Sequence, residues 1–278
     1  MLRWSIKLFR VRGIQLSLHS SFVLLIAYYG YAGYEEARMP GLCWAIALLL
    51  AFFSCVVLHE LGHSLTARRF GVGVRRILLM PIGGMAEFDS IPREPRKELL
   101  ITVAGPAVNF VIAGLLWAAL SGLRATVDVS DVPANLRQFF WTLAYINLGL
   151  GVFNLIPVFP MDGGRILRAV LAWRMNYVRA TFWAVTIAKI LACAAVLGVI
   201  LGFFWGAIPE FNAWLYGILF LFIFTVGEME YRAVRMRDRQ EAELAQWAAR
   251  MAAARAAAGY PPHPGVSFPN EPPLLGRN

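Results

Sequence analysis

Six apolar stretches, each long enough to cross a lipid bilayer, constrain the fold of this chain more than any other feature. A membrane-spanning helix needs about 20 largely apolar residues. The stretches cover residues 16–34, 42–67, 99–121, 135–157, 180–205 and 208–228. Only 15% of the 278 residues are charged, which is too few to cover the surface of a soluble domain. The sequence therefore predicts an all-α polytopic membrane protein with six transmembrane helices.

The distribution of basic residues predicts the orientation of these helices. Lys and Arg are concentrated in the N-terminal segment, in the loops after the second and fourth stretches, and in the C-terminal segment. The three alternate loops contain only Arg38, Arg124 and Arg137. Because cytoplasmic loops are enriched in Lys and Arg, we expect a multi-pass protein of the cell membrane with both termini in the cytoplasm. The net charge of +9 then reflects topology, and no nucleic-acid partner is expected, since no basic patch is interleaved with stacking aromatic residues.

Composition predicts three regions along the chain. Residues 1–229 form the predicted six-span core. Residues 230–259 are rich in Ala, Arg and Glu and predict a cytoplasmic helical segment. Residues 260–278 hold a cluster of prolines and predict a disordered tail.

The second apolar stretch ends in a motif that can bind a metal ion, His59-Glu60-Leu61-Gly62-His63. Residues four apart share one face of a helix, so His59 and His63 can bind one ion, while Glu60 can act as general base toward a water on that ion. An ionisable group inside a span costs about 2.5–3.5 kcal/mol, so three such groups within five residues favour a functional site. The alternative is a helix end at which His and Glu meet the membrane interface.

A third ligand is expected from the segment that follows the fourth stretch. Catalytic zinc usually has three protein ligands and one open position, and the three cysteines lack the paired spacing of a zinc site. Pro157 and Pro160 interrupt the helix and a Gly pair permits a sharp turn, so Asp162 is predicted on irregular backbone at membrane depth. Both motifs fall at the cytoplasmic ends of their spans, so Asp162 can join the two histidines. Its alternative role is the N-cap of the next helix.

Together, the His-Glu-x-x-His motif and the segment Asn154-x-x-Pro-x-x-Pro-x-Asp-Gly resemble the site-two protease family of intramembrane zinc metalloproteases. The resemblance covers about residues 10–230. It implies one zinc ion per chain with His59, His63 and Asp162 as its ligands. It also implies that Glu60 is the catalytic base and that Asn154 holds the substrate backbone or the developing oxyanion.

The pattern is that of the compact, sporulation-protease-type branch of the family. No PDZ domain is expected between the two motifs, and no nucleotide-sensing domain is expected after the sixth span. Residues 72–88 predict short strands near the cytoplasmic face. The resemblance implies that an unwound substrate could pair with this β element, and a plain structured loop is the alternative.

The function implied by the resemblance is regulated intramembrane proteolysis. A zinc-dependent endopeptidase would cleave a transmembrane segment of a regulatory, single-span membrane protein near the cytoplasmic face. One alternative is a membrane metal carrier or metal-binding protein without protease activity, although the candidate ligands converge at one end of the spans instead of forming a path through the bilayer. A second is a membrane-associated zincin with its site in a cytoplasmic domain. The sequence predicts no oligomeric state.

Overall fold

The computed structural model describes residues 5–81, 83–90, 92–126, 133–205 and 210–257, and the predicted disordered tail at 260–278 lies outside them. The described residues are mostly helical and include one small sheet. The elements are β1 (Ser5–Val11), β2 (Ile14–His19), α1 (Phe22–Arg69), β3 (Val74–Met80), β4 (Gly83–Phe88), α2 (Pro95–Thr126), α3 (Ala134–Leu155), α4 (Asp162–Leu171), α5 (Tyr177–Phe204) and α6 (Glu210–Ala257). The chain divides into two compact units, Met1–Leu191 and Ala192–Asn278.

Helix α1 contains the second predicted span and most of the first, folded back on each other. Its backbone leaves the helical region at Ala37 and Arg38, where φ is −145° and 55°. Beyond this kink the two halves touch, since a Cβ on Gly33 would lie 2.5 Å from the carbonyl oxygen of Gly41 and 2.7 Å from the Cβ of Ala45. Small residues at such positions let two helix backbones approach closely. Helix α1 is therefore a helical hairpin.

Three helices among the described residues are long and apolar enough to cross a membrane, namely Phe22–Arg69, Pro95–Leu123 and Tyr177–Phe204. The first of these helices contains the second predicted span and most of the first span. The predicted fourth span coincides with α3, and the sixth begins α6, which continues without a break past residue 229. The count of six spans, the orientation of the termini and the three-region division stay predictions.

The sheet confirms the strands predicted between residues 72 and 88 and adds two that were not predicted. The strand order is β1-β2-β3-β4. Strands β1 and β2 form an antiparallel hairpin, β2 pairs with β3 in parallel, and β3 pairs with β4 antiparallel. The predicted start of the first span at residue 16 is wrong, because Ile14–His19 is a strand. Its apolar residues alternate with polar ones, which is the period of a strand, but the alternation is short and runs directly into the apolar helix.

The sheet packs against the helix that carries the His motif. Ile14 and Ile77, on the two central strands, are fully buried and belong to one core cluster with Phe53, Val56 and Leu61 of α1. At the end of α1, the guanidinium of Arg68 donates a hydrogen bond to the carbonyl of Arg12 in the β1–β2 turn. These contacts fix the second half of α1 relative to the strands.

A buried ion pair fastens the short helix α4 to α2. Nε and Nη2 of Arg168 lie 3.0 and 2.5 Å from Oε1 of Glu98, and the two residues are 1% and 0% exposed. The hydroxyl of Tyr177 donates to the same oxygen at 3.2 Å. A ten-residue helix is too short to be stable alone, so tertiary contacts of this kind determine where α4 lies.

We expect Arg168→Met to lower the free energy of unfolding by about 3–5 kcal/mol, because the Glu98 carboxylate would stay buried without the guanidinium. The double variant Glu98→Leu with Arg168→Met removes both charges and should recover most of this loss. Unfolding in detergent, followed by tryptophan fluorescence, measures both effects.

A matched control is the exposed ion pair between Arg75 and Asp89, whose side chains are 75% and 49% exposed. Arg75→Gln should cost less than about 1 kcal/mol. A double variant at positions 98 and 168 that is as unstable as Arg168→Met would contradict the ion-pair explanation.

Candidate metal centre

The structure brings together the three residues that the sequence predicted as metal ligands. Nε2 of His59 and Nε2 of His63 lie 3.3 and 3.2 Å from Oδ2 of Asp162, and the two Nε2 atoms are 3.1 Å apart. The three side chains are at most 10% exposed. Two residues of one helix and a third that is about 100 positions away in sequence thus present their ligand atoms to one point.

The chain turns sharply to bring Asp162 to this point. After α3 ends at Leu155, a short irregular segment leads into α4, whose first residue is Asp162. A Cβ on Gly163 would overlap the carbonyl oxygen of Ile156, so the chain can fold back here only because residue 163 is glycine. The N-cap of α4 is Met161. The alternative role of Asp162 as the N-cap is therefore wrong.

The donor set fits a zinc ion. Oδ2 of Asp162 is buried and has no hydrogen-bond donor, and an unsatisfied buried carboxylate oxygen is costly. Zinc bonds to nitrogen and oxygen are about 2.0–2.1 Å long, which in a tetrahedron places the ligand atoms about 3.3 Å from each other. The observed separations of 3.1–3.3 Å match this edge. The three residues could hold a metal ion, and two imidazoles with one carboxylate are a catalytic zinc set.

Helix α2 supplies the hydrogen-bond acceptors that orient both imidazoles. Nδ1 of His63 donates to the backbone carbonyl of Ile101 at 2.8 Å, and Nδ1 of His59 donates to Oδ1 of Asn109 at 2.5 Å. With the proton on Nδ1, each Nε2 keeps its lone pair for a metal ion. No sequence signal points to the carbonyl of Ile101, since any residue provides one.

Helix α2 also provides the space that the imidazoles occupy. A Cβ on Gly105 would overlap Nε2 of His63 and would lie 2.8 Å from Nε2 of His59. On the facing helix, a Cβ on Gly62 would lie 2.7 Å from the carbonyl oxygen of Ala104. The two helices therefore meet at glycine on both sides, directly beside the candidate ligands.

The predicted catalytic base packs against strand β4 of the sheet. Glu60 follows His59 on α1 and is half-buried. A Cβ on Gly84, in β4, would lie 2.6 Å from Cγ of Glu60 and 3.2 Å from Cγ1 of Val56. The backbone of β4 therefore packs directly on the Glu60 side chain and restricts the conformations of its carboxylate.

Asn154 makes a hydrogen bond within its own helix. It lies in the last turn of α3, is half-buried, and donates from Nδ2 to the carbonyl of Leu150 at 2.9 Å. This hydrogen bond is internal to α3. The substrate-holding role of Asn154 stays a prediction.

A family model described as peptidase family M50 matches residues 47–198, which include both motifs. The chain belongs to peptidase family M50. This finding confirms the resemblance drawn from the two motifs.

Similar proteins carry consistent names. The chain is 43% identical over 197 residues to a zinc metalloprotease of Methanocaldococcus jannaschii, covering 70% of this chain and 54% of that protein. It is 27% identical over 186 residues to stage IV sporulation protein FB of Bacillus subtilis, covering 66% and 58%. The chain spans about half the length of the curated relatives it matches.

A solved structure, the site-2 protease from Methanocaldococcus jannaschii, is 36% identical, with a TM-score of 0.54. The match covers 82% of this chain and 95% of that one. The family, the names of the relatives and the His-His-Asp group together support zinc as the cofactor predicted from sequence.

Replacing Gly105 tests whether the space on α2 is needed for metal binding. We expect Gly105→Ala to weaken zinc binding by roughly 10- to 100-fold, because its methyl group would push an imidazole out of position. Competition with a fluorescent zinc chelator in detergent measures the affinity.

Gly114→Ala is the matched control, because it lies on the same helix and a Cβ there meets nothing within 4 Å. We expect it to leave zinc affinity unchanged and to stabilise α2 by about 0.5–1 kcal/mol. Equal zinc affinities for the two alanine variants would contradict the packing argument.

Proposed function

We propose that this protein is a zinc-dependent intramembrane endopeptidase that cleaves a transmembrane segment of a regulatory membrane protein near the cytoplasmic face. The observation that carries the proposal is the buried group of His59, His63 and Asp162, with a carboxylate oxygen that has no donor. Membership of a peptidase family supports the hydrolytic reaction. The group lies near the end of an apolar helix that is long enough to span a bilayer.

The proposed chemistry divides between the metal and one carboxylate. When bound by the three ligands, zinc would supply Lewis acidity that polarises a peptide carbonyl and makes a water molecule easier to deprotonate. Glu60 takes the proton from the attacking water and returns it to the leaving amine. The packing of β4 on the Glu60 side chain favours this role, since a general base must be held in place to be effective.

Asn154 is proposed to hold the substrate backbone or the developing oxyanion. A primary amide has two N–H hydrogens, so one can stay on the carbonyl of Leu150 while the other donates to substrate. Its place at the end of α3, shortly before the turn that leads to Asp162, supports this role.

The sheet suggests how a substrate is presented. A helix hides its peptide bonds, so the substrate must be extended before it can be cleaved. Strand β4 is at one end of the strand order, and its Gly84 packs against Glu60. An unwound substrate that pairs with β4 would therefore pass close to the base.

Position along α1 supports cleavage near one membrane face. His63 is five residues before Arg68, which at 1.5 Å per residue corresponds to about 7.5 Å. Arg68 and Arg69 form the basic last turn of α1, and basic residues favour the cytoplasmic side.

The proposed substrate class, a regulatory single-span protein, follows from the family resemblance. A metal carrier gains no support, because the candidate ligands meet at one point.

We expect Glu60→Gln to bind zinc as the wild type does and to lower the cleavage rate by about 10²- to 10⁴-fold, because only the general base is removed. Asp162→Asn should lose both zinc binding and cleavage, since an amide oxygen is a weaker zinc ligand than a carboxylate. The measurements are metal analysis of purified protein and cleavage of single-span membrane proteins encoded next to it, reconstituted in liposomes.

Undiminished cleavage by Glu60→Gln would overturn the proposed mechanism. Zinc flux into the liposomes without any cleavage would favour the carrier. The control is the exposed Arg75→Gln variant, which should match the wild type in both measurements.

A further inference from the structure

A buried asparagine on α3 connects to the metal centre through a second asparagine on α2. Oδ1 of Asn147 accepts a hydrogen bond from Nδ2 of Asn109 at 3.0 Å, and Oδ1 of Asn109 accepts from Nδ1 of His59 at 2.5 Å. Both asparagines are 0% exposed. Three helices therefore contribute to one chain of hydrogen bonds that ends at a candidate zinc ligand.

The orientation of the Asn147 amide is fixed by its own surroundings. Its Nδ2 donates to the backbone carbonyl of Leu143 at 2.8 Å and to the sulfur of Cys55 at 3.2 Å. The backbone carbonyl can only accept, so it must face the NH₂ group of Asn147. If this amide turned over, its oxygen would face the carbonyl oxygen. Oδ1 of Asn147 must therefore point toward Asn109.

The direction of these hydrogen bonds then determines the tautomer of His59. Because Oδ1 of Asn147 can only accept, Asn109 must turn its NH₂ group toward Asn147 and its oxygen toward His59. That oxygen also only accepts, so Nδ1 of His59 must carry the ring proton. The lone pair of the neutral imidazole is then on Nε2, which faces Asp162. A reversed Asn109 amide would instead favour the tautomer that directs an N–H at the metal position.

We propose that Asn147 is a positioning residue of the metal centre, which sets the Asn109 amide and through it holds His59 in the metal-binding tautomer. The comparison with His63 explains why such a residue is needed. Nδ1 of His63 reaches the carbonyl of Ile101 directly, and a backbone carbonyl cannot turn over. His59 has a side-chain amide as its acceptor, and this amide needs a partner to define its orientation. The inference rests on the proposed metal-dependent function.

The test measures zinc affinity by chelator competition in detergent, without substrate. We expect Asn147→Leu to weaken zinc binding by roughly 10- to 100-fold. In an Asn109→Asp background the same substitution should have little effect, because a carboxylate presents an acceptor to His59 in either orientation and no longer needs Asn147. A role limited to helix packing would give the same loss in both backgrounds.

Thr181→Val is the matched control. Thr181 is also 0% exposed, and its hydroxyl donates to the carbonyl of Tyr177 in its own helix. It should bind zinc as tightly as the wild type. Helix content and elution from a sizing column verify that each variant is folded, and Asn147→Ala replaces Asn147→Leu if leucine is too bulky for the site.

Unchanged zinc affinity in folded Asn147→Leu or Asn147→Ala would overturn the inference, as would an equal loss in both backgrounds. Failure of both variants to fold, with and without Asn109→Asp, would also overturn it, because Asn147 would then serve the fold and not the imidazole. A wild-type protein that binds zinc but cleaves no membrane protein would refute the proposed function alone. A wild-type protein that binds no zinc would refute both.

Discussion

The close packing of α2 on the second half of α1 is the contact on which the metal centre depends. Four residues of α2, spaced three or four apart on one face, contact the site or α4. Ile101 and Asn109 accept from the two imidazoles, and Gly105 leaves room for them. One turn before Ile101, Glu98 binds Arg168 and so fixes the helix that begins with the third ligand. A shift of α2 along or around its axis would therefore disturb all three ligands together.

The candidate ligands could be predicted from sequence because their chemistry is local. Spacing alone places His59 and His63 on one helix face, and Pro and Gly residues around Asp162 mark a break in the helix. Their meeting could be predicted only from topology, since the distribution of basic residues predicts both motifs at the same membrane face. The sequence therefore predicted the candidate ligands and their meeting, although not the distances between them.

Groups that support the ligands could not be predicted in the same way. Asn147 lies in an apolar stretch. From the sequence one can infer only that its polar side chain needs a hydrogen-bond partner. Nothing local indicates that this partner is Asn109, 38 positions earlier in the chain. The same holds for Glu98 and Arg168, which are 70 positions apart. The β1–β2 hairpin was missed for another reason, since its short alternation merges with the long apolar run that follows.

The parallel pairing of β2 with β3 has a consequence for the hairpin of α1. Strand β2 leads into this helix and β3 follows it, with Gln15 beside Arg76 and Leu18 beside Leu79. Because the two strands run in the same direction, α1 starts beyond the far end of β2 and ends before the start of β3. Phe22 at the start of α1 accordingly packs against Phe53, about four turns before Arg69. The two halves of α1 are thus joined twice, covalently at Ala37 and Arg38 and through the hydrogen bonds between β2 and β3. Cleavage of the backbone at the kink would therefore leave the N-terminal fragment, which contains β2, bound through β3 to the part of the protein that carries His59 and His63.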